Sequence, residues 1–516
     1  RKTRARPEAG RRRSIVGSLS DVSAFNAVMS NSKWIGAALG LALCSTALTS
    51  CSVKDNQAGQ PTTEQANLPK IDWTKNAEKQ LVQAIAQAPT NGLKPDLFLK
   101  GDLPKDDSER FAVLTQAALG YAEALAHGYS DPRKLAKDYT IPRPSADVER
   151  GLVQAIQNGT LDQWLASLPP QTDEYRALSR AHLDYLRMAQ DAKFQPIGEG
   201  KPIKPGSRDP RVAAVASGLR AVGYLPAAQS GVASETHYSS GLVSAVKRMQ
   251  TDFGIKADGI VGDTTLDALN LGPGGRARQL AIAMERLRWL QRDPPKTRID
   301  VNTAAAVLDY WRDGNHVDHR NVIAGEPDKA TPQLQASFSS LVANPKWRVP
   351  DSIAEEEIAK KDQSWLVENQ VTMENGRYIQ QPGPKNSLGM VKFDMEDPQQ
   401  IYLHDTPFKE LFAMPERHRS HGCVRVQDAL GFAAMLASED GVADKLQEAL
   451  SGGEEKWVKL KTEVPVRLLY HTSFWDGSRV QFRPDVYGWD EDVGRALGLV
   501  TGPPRRKIEQ GADIGP

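Results

Sequence analysis

The chain has 516 residues, room for about three domains, and its 40% hydrophobic and 25% charged residues are an ordinary globular balance. Its 65 Lys and Arg stand against 64 Asp and Glu, a net charge of +1. That lacks the basic excess which neutralising many phosphates demands, so nucleic-acid binding is excluded as the main activity. Only one stretch is apolar enough to concern a membrane, which excludes a polytopic membrane protein.

Seven Lys or Arg fall in the first thirteen residues, ahead of Met29. They are expected to lie upstream of a true start at Met29; the alternative is a basic arm for nucleic acid or anionic lipid. Lys33 then precedes an apolar run from Trp34 to Leu48. At about 15 residues the run is short of the roughly 20 that span a bilayer, and it suits a signal-peptide core. It ends in Leu48-Thr49-Ser50-Cys51, which resembles the bacterial lipobox. The resemblance implies lipid on Cys51, with a plain secretory signal as the alternative. Ser52 then favours the outer over the inner membrane. Residues 1–51 are thus expected to be leader and signal peptide. Residues 52–69, rich in Gln, Thr, Asn and Pro, suit a flexible tether. With Cys44 in the signal and Cys51 lipidated, Cys423 is the one thiol left in the folded region. A lone thiol in an exported chain is either buried and inert or reactive.

Residues 70–200 carry helical spacing at Leu81 and Ile85, at Leu114, Ala118 and Tyr121, and at Leu178, His182 and Leu186. Pro142, Pro144, Pro169 and Pro170 interrupt it. His127 and His182 are expected to be ordinary helix residues. A Pro/Gly/Lys stretch, 198–206, then sets off a compact segment at 207–272. Val212, Val215, Leu219 and Val222 make one helical face; Leu242, Val246, Met249 and Phe253 make another. The glycines of Gly254 to Gly262 permit a tight loop, and a following Thr can start a third helix. This segment resembles the small three-helix peptidoglycan-binding domain, with Met249-Gln250 in place of the usual Phe-Gln.

A helix over 276–290 leads to Pro294-Pro295, after which the pattern turns to strands. Strands are expected at 298–302, 305–311 and 316–322, with a turn at Asp313-Gly314-Asn315, and again between Val464 and Phe482. Residues 503–516 are expected to be a tail. The His316-Val317-Asp318-His319 run invites a metal reading, but a turn-flanked pair without cysteine supports it poorly, and no metal is expected.

The densest chemistry is Ile401-Tyr402-Leu403-His404-Asp405-Thr406-Pro407 followed by Arg417-His418-Arg419-Ser420-His421-Gly422-Cys423-Val424-Arg425-Val426. A free thiol is protonated at neutral pH and needs an imidazole or a positive field to become a nucleophile. His421 and His404 are both available. In a strand, His421 and Cys423 would share a face, and Gly422 would let a backbone or substrate approach. Spacing alone does not choose between the histidines.

With fifteen residues between His404 and Ser420, the stretch resembles the L,D-transpeptidase (YkuD-type) catalytic domain, whose signature is His, a gap, then Ser/Thr-His-Gly-Cys. Val322-Ile323-Ala324-Gly325, Thr331-Pro332, Asn344 to Pro350 and Asn386 to Phe393 are similar to the same family. The likeness spans 298–485, and the domain order resembles the large Gram-negative subfamily of the YcbB type. It implies an α+β multidomain fold: a helical scaffold, a three-helix peptidoglycan-binding bundle and a mainly β catalytic domain with a capping insertion at about 351–385, a candidate lid. It implies Cys423 as nucleophile, His404 as general base, His421 as a neighbouring donor and N–H groups around Gly422 and Cys423 for the oxyanion. Asp405 or a backbone carbonyl would orient His404. Arg425 would bind a substrate carboxylate, with Ser420, Tyr402 and Trp347 as further substrate-binding candidates; His418 and Arg419 would be loop residues.

The implied reaction is attack on the third residue of a stem tetrapeptide, release of D-alanine, a thioester on Cys423, and resolution by a second stem to give a 3→3 cross-link. No cofactor is implied. The implied partners are stem tetrapeptides and glycan strands, carbapenems are expected to acylate Cys423, and the expected location is the periplasm. Water as acceptor would make an L,D-carboxypeptidase; a protein acceptor would attach a lipoprotein to the wall. A non-catalytic peptidoglycan-binding lipoprotein is the reading from a different class.

Overall fold

The computed structural model describes residues 71–136, 138–191, 194–226 and 236–500. The leader, the signal, Cys51, the tether to residue 69 and the tail at 503–516 lie outside the described residues. No helix among those described is long and apolar enough to cross a membrane.

The first part is helical: α1 (Lys75–Ala86), α2 (Asp107–His127), α3 (Pro132–Leu135), α4 (Val148–Gln157), α5 (Leu161–Ser167) and α6 (Asp173–Asp191). Caps set their starts. Thr74 accepts the Ala77 N–H, Asp106 that of Glu109 and Asp147 that of Arg150. Ala77, Leu81 and Ile85 bury one stripe of α1, four residues apart. Pro142 and Pro144 sit in the extended link to α4, and Pro169 and Pro170 follow α5, where helices cannot continue. His127 and His182 lie on α2 and α6 as expected. His182 is buried, with Nδ1 2.8 Å from the Ala277 carbonyl.

The second part comprises α7 (Val212–Ala221), α8 (Ser240–Asp252) and α9 (Asp263–Asn270). The 198–206 stretch is tied to this part, since Ile203 exchanges backbone hydrogen bonds with Val261 and is buried. One expectation changes here. The third helix starts at Asp263 behind Gly262, and Thr265 is buried and bonded to Gln250 instead of capping it. Gln250 Oε1 also accepts the Gly259 N–H, so this polar residue fixes the glycine loop from inside.

Helix α10 (Gly272–Trp289) opens with Pro273 in its first turn and is buried on nearly every side. Its polar residues are paired across the parts they join. Arg288 donates to Tyr175 and to the Asn91 carbonyl, both at 2.7 Å. Gln279 donates to the carbonyls of Thr472 and Arg483, and Arg286 pairs with Asp490.

The third part is a sheet of nine strands in the order β10-β3-β11-β9-β8-β4-β12-β1-β2, closed by pairing of β2 with β3. In chain order these are β1 (Arg298–Asn302), β2 (Val307–Arg312), β3 (Asn315–Gly325), β4 (Leu334–Ala343), β8 (Val391–Met395), β9 (Leu403–His404), β10 (His418–Ser420), β11 (Val424–Val426) and β12 (Lys456–Leu469). Helices α13 (Ala429–Glu439) and α14 (Ala443–Gly452) supply Phe432 and Leu446 to the core beside Leu403, Val424 and Phe393. Ala305 and Ala306 belong to the turn before β2 and not to the strand.

The insertion holds α11 (Asp351–Ile353), a π-helical turn at Ala354–Ile358 and α12 (Gln363–Glu368). Its strands β6 (Val371–Glu374) and β7 (Arg377–Gln380) pair into a small sheet with β5 (Trp347–Arg348). After β12 come β13 (Ser473–Trp475), β14 (Val480–Phe482) and α15 (Trp489–Ala496), so packed structure continues beyond residue 485.

Candidate active site

Three short strands assemble the site. β11 runs parallel to β9 with Val424 opposite Leu403 and Arg425 opposite His404; β8 runs antiparallel with Lys392 opposite His404. Side chains alternate along a strand, so burying Leu403 and Val424 in the core sends His404, Arg425 and Lys392 to the other face. Tyr402 and Cys423, one step before the Leu403–Val424 pair, share that face. The Tyr402 and His404 rings meet edge to face at 5.7 Å, and the Lys392 ammonium lies 4.9 Å from the Tyr402 centroid.

His404 is fully buried. Its Nδ1 is 2.5 Å from the Asp405 carbonyl oxygen. A carbonyl only accepts, so Nδ1 carries the proton and Nε2 keeps its lone pair. Among the described residues, Nε2 has no hydrogen-bond partner. The carbonyl, and not the Asp405 carboxylate, orients the ring. That carboxylate accepts the Met390 N–H at 3.0 Å and pairs with Lys409. Burial, with Arg425 next in effect, pushes the His404 pKa down to about 3. The imidazole is neutral at physiological pH.

Cys423 is the free cysteine among the described residues, with Sγ 3.7 Å from the Gln400 carbonyl. Burial pushes its pKa up to about 11, opposed by hydrogen bonds from Tyr402 and by the charges of Lys392 and Arg425. At rest Cys423 is thus a thiol and His404 a neutral imidazole.

The expected side-by-side placement of His421 and Cys423 in one strand does not occur. The chain leaves β10 at Ser420 and re-enters as β11 at Val424, turning at Gly422 with φ of +116°. L-residues rarely adopt that conformation, which is the reason for a glycine here. Ser420 is buried and holds this turn: its hydroxyl donates to the Cys423 carbonyl at 2.5 Å and accepts the Gly422 N–H at 3.2 Å. Ser420 is thus placed as a turn residue with its hydroxyl committed to backbone, and the Gly422 N–H is already engaged. Trp347 is also corrected. It is 1% exposed, in the core of the insertion with Val349, Ile353 and Ile358. His418 is a buried strand residue, with Nε2 2.7 Å from the Thr303 carbonyl, and not a loop residue. Arg425 is buried on β11.

Residues 296–466 match the model of the YkuD family, described as the L,D-transpeptidase catalytic domain, and this span holds all of the residues above. The chain carries an L,D-transpeptidase domain. Residues 208–269 match a "Putative peptidoglycan binding domain" and 68–181 a Scaffold domain. A Haemophilus influenzae protein named "Putative L,D-transpeptidase" is 27% identical over 243 residues, which cover 42% of this chain and 49% of that protein. The chain thus spans about half the length of this curated relative. Among solved structures, a mutant Enterococcus faecium L,D-transpeptidase is 12% identical, covers 37% of this chain and 62% of that one, and has a TM-score of 0.17. An L,D-transpeptidase from Xylanimonas cellulosilytica is 16% identical, covers 52% and 98%, and has a TM-score of 0.16.

Two family-like stretches, at Gly325 and Thr331, prove to support the site's turn, and Tyr487 and the insertion add contacts that sequence reasoning did not single out. Thr331 donates its hydroxyl to the Gly422 carbonyl at 2.8 Å and accepts the Gly325 N–H at 2.8 Å. The Tyr487 hydroxyl donates to the Gly325 carbonyl at 2.7 Å. The insertion itself reaches the motif: Glu357 Oε1 lies 2.7 Å from His421 Nε2, and Glu356 pairs with Lys329 at 2.8 Å. His421 is therefore engaged by a carboxylate from the insertion. Among the described residues, the group with metal-ligating geometry is Asp309, His316 and His319, none of which belongs to this site.

Proposed function

We propose that this protein is a peptidoglycan L,D-transpeptidase of the YcbB type, with Cys423 as nucleophile and His404 as general base, forming 3→3 cross-links. The observation that carries the base assignment is the His404 imidazole. Its Nδ1 proton is held by a carbonyl, which leaves a buried Nε2 lone pair on the face shared with Cys423. Charge is unfavourable on both groups, so the thiol proton passes to Nε2 as sulfur attacks the carbonyl carbon of the third stem residue.

The tetrahedral oxyanion needs N–H donors, and with Gly422 committed to Ser420 the Cys423 N–H is the donor of this turn. Collapse returns the proton to the departing D-alanine nitrogen and leaves a thioester on Cys423. An amine of a second stem then attacks the thioester carbonyl, its proton passes through His404 to the sulfur, and the free thiol is restored. Lipid on Cys51 and a periplasmic location, outer membrane more than inner, belong to the same proposal, as does acylation of Cys423 by carbapenems.

The test uses the chain from residue 52 onward with purified disaccharide-tetrapeptide, products being read by mass spectrometry. A dimer lighter by one alanine is expected. Tripeptide and free D-alanine alone would replace the transpeptidase with a carboxypeptidase, and turnover by Cys423→Ala would overturn the mechanism.

A further inference from the structure

The β2–β3 hairpin carries side chains that this reaction does not use. His316 and His319 are three residues apart, and a regular strand would send them to opposite faces. The ladder slips here: Tyr310 pairs with Asp318 and Trp311 with His316, so Val317 has no residue opposite. This β-bulge changes the parity of the strand and turns both imidazoles to the face of Asp309, which pairs with His319. His316 Nε2 and His319 Nδ1 each lie 2.8 Å from one oxygen, Asp309 Oδ1. The three ligand atoms all fall within 4.8 Å of one another.

That spacing suits an ion. With metal–ligand bonds of about 2.0–2.1 Å, neighbouring donors of a tetrahedral site sit roughly 3.3 Å apart. A small opening of the Asp309 contacts makes room for a cation in place of the two shared protons. Both imidazoles are about half exposed, so solvent can supply the remaining ligand. Two imidazoles and one carboxylate disfavour Mg2+ and Ca2+, which take oxygen ligands, and favour late first-row divalent ions.

We propose that Asp309, His316 and His319 form a binding site for a divalent late first-row transition metal ion such as Zn2+, separate from the Cys423 centre. The ion ties β2 to β3 across the bulge. It grips the outer end of the strand whose inner end, Ile323 to Gly325, pairs with Arg425 and Ser420.

The test titrates ZnCl2 into the full chain, freed of metal by chelation, by calorimetry, with Co2+ absorption as a spectroscopic check. One saturable ion per chain is expected. His316→Ala and His319→Ala should each weaken binding about tenfold or more, and the double variant should abolish it. Cys423→Ala should leave binding unchanged. Absence of saturable binding, binding that survives in the double variant, or binding lost with Cys423 would each overturn the site.

Discussion

The ionisation state of the site makes the sharpest prediction. Burial raises the Cys423 pKa from 9.0 to about 11, which lowers the thiolate fraction at neutral pH about 100-fold and corresponds to roughly 3 kcal/mol. Only about one thiol in 10⁴ is then ionised at pH 7. His404, held down to about 3, carries its extra proton in a similarly small fraction. A preformed thiolate–imidazolium pair would titrate near neutrality, whereas a neutral pair does not. Single-turnover acylation of the enzyme, followed by intact mass from about pH 5 to about pH 9, should therefore show no inflection in that interval. Thiolate absorbance should likewise stay flat until strongly alkaline pH. His404→Ala should cost about 10²- to 10⁴-fold in acylation rate at every pH in the range. An inflection between about pH 5 and 8, lost in His404→Ala, would refute the neutral resting pair. A profile unaffected by His404→Ala would move the base to His421.

Cys423→Ala should abolish acylation while binding to isolated peptidoglycan survives, which a sacculus pull-down reads directly. Gly422→Ala forces an L-residue to φ of +116° and sets its methyl 3.3 Å from Ile401 Cδ1. The strain is about 1–3 kcal/mol, so a lower melting temperature and at least tenfold slower acylation are expected. Glu357→Gln removes the charge facing His421 while keeping the shape. Turnover should drop about tenfold, and a double-mutant cycle with His421→Ala should show coupling of about 1–3 kcal/mol; additive effects would make the pair incidental. His182, His404 and His471 are buried and neutral, with pKa values lowered to about 4, 3 and 3. An unfolded chain protonates them near 6.5, so it binds more protons as pH falls and stability is lost below that value. The loss is about 2 kcal/mol per histidine at pH 5, and denaturant titrations at pH 7 and 5 should show it.

The motif was legible as a dense run of His, Gly and Cys, and strand register then brings its two halves together: His404 pairs with Arg425, two residues after Cys423. The helices were legible from apolar periodicity, as at Leu81 and Ile85. What escaped depended on long-range packing. Trp347 looked like a substrate contact because an aromatic near a motif carries no mark of its burial, which its neighbours in the insertion decide. Ser420 looked like a substrate contact although its hydroxyl closes the Gly422 turn. Nothing in the 351–385 composition indicates that Glu357 meets His421, since that contact depends on how the insertion folds back. The bulge at Val317 was equally hidden, because alternation alone puts His316 and His319 on opposite faces.

Helix α10 changes how the three parts work together. A wall-binding module on a free linker raises local substrate concentration without fixing orientation. Here the peptidoglycan-binding bundle has no such freedom. Its Phe253 ring stacks on Phe482 of β14 at 5.1 Å, Arg276 of α10 lies over both rings, and Gln279 is bonded to backbone after β12. The bundle's core continues into α6 and α10 through Tyr175, Leu280 and Met284. A wall strand held by the bundle would therefore meet the catalytic face at a fixed distance and angle, and binding would select substrate geometry as well as concentration. Cutting the Arg276 stack by Arg276→Ala should then slow turnover on intact sacculi much more than on free tetrapeptide. Equal losses on both substrates would mean that the bundle contributes stability and not alignment.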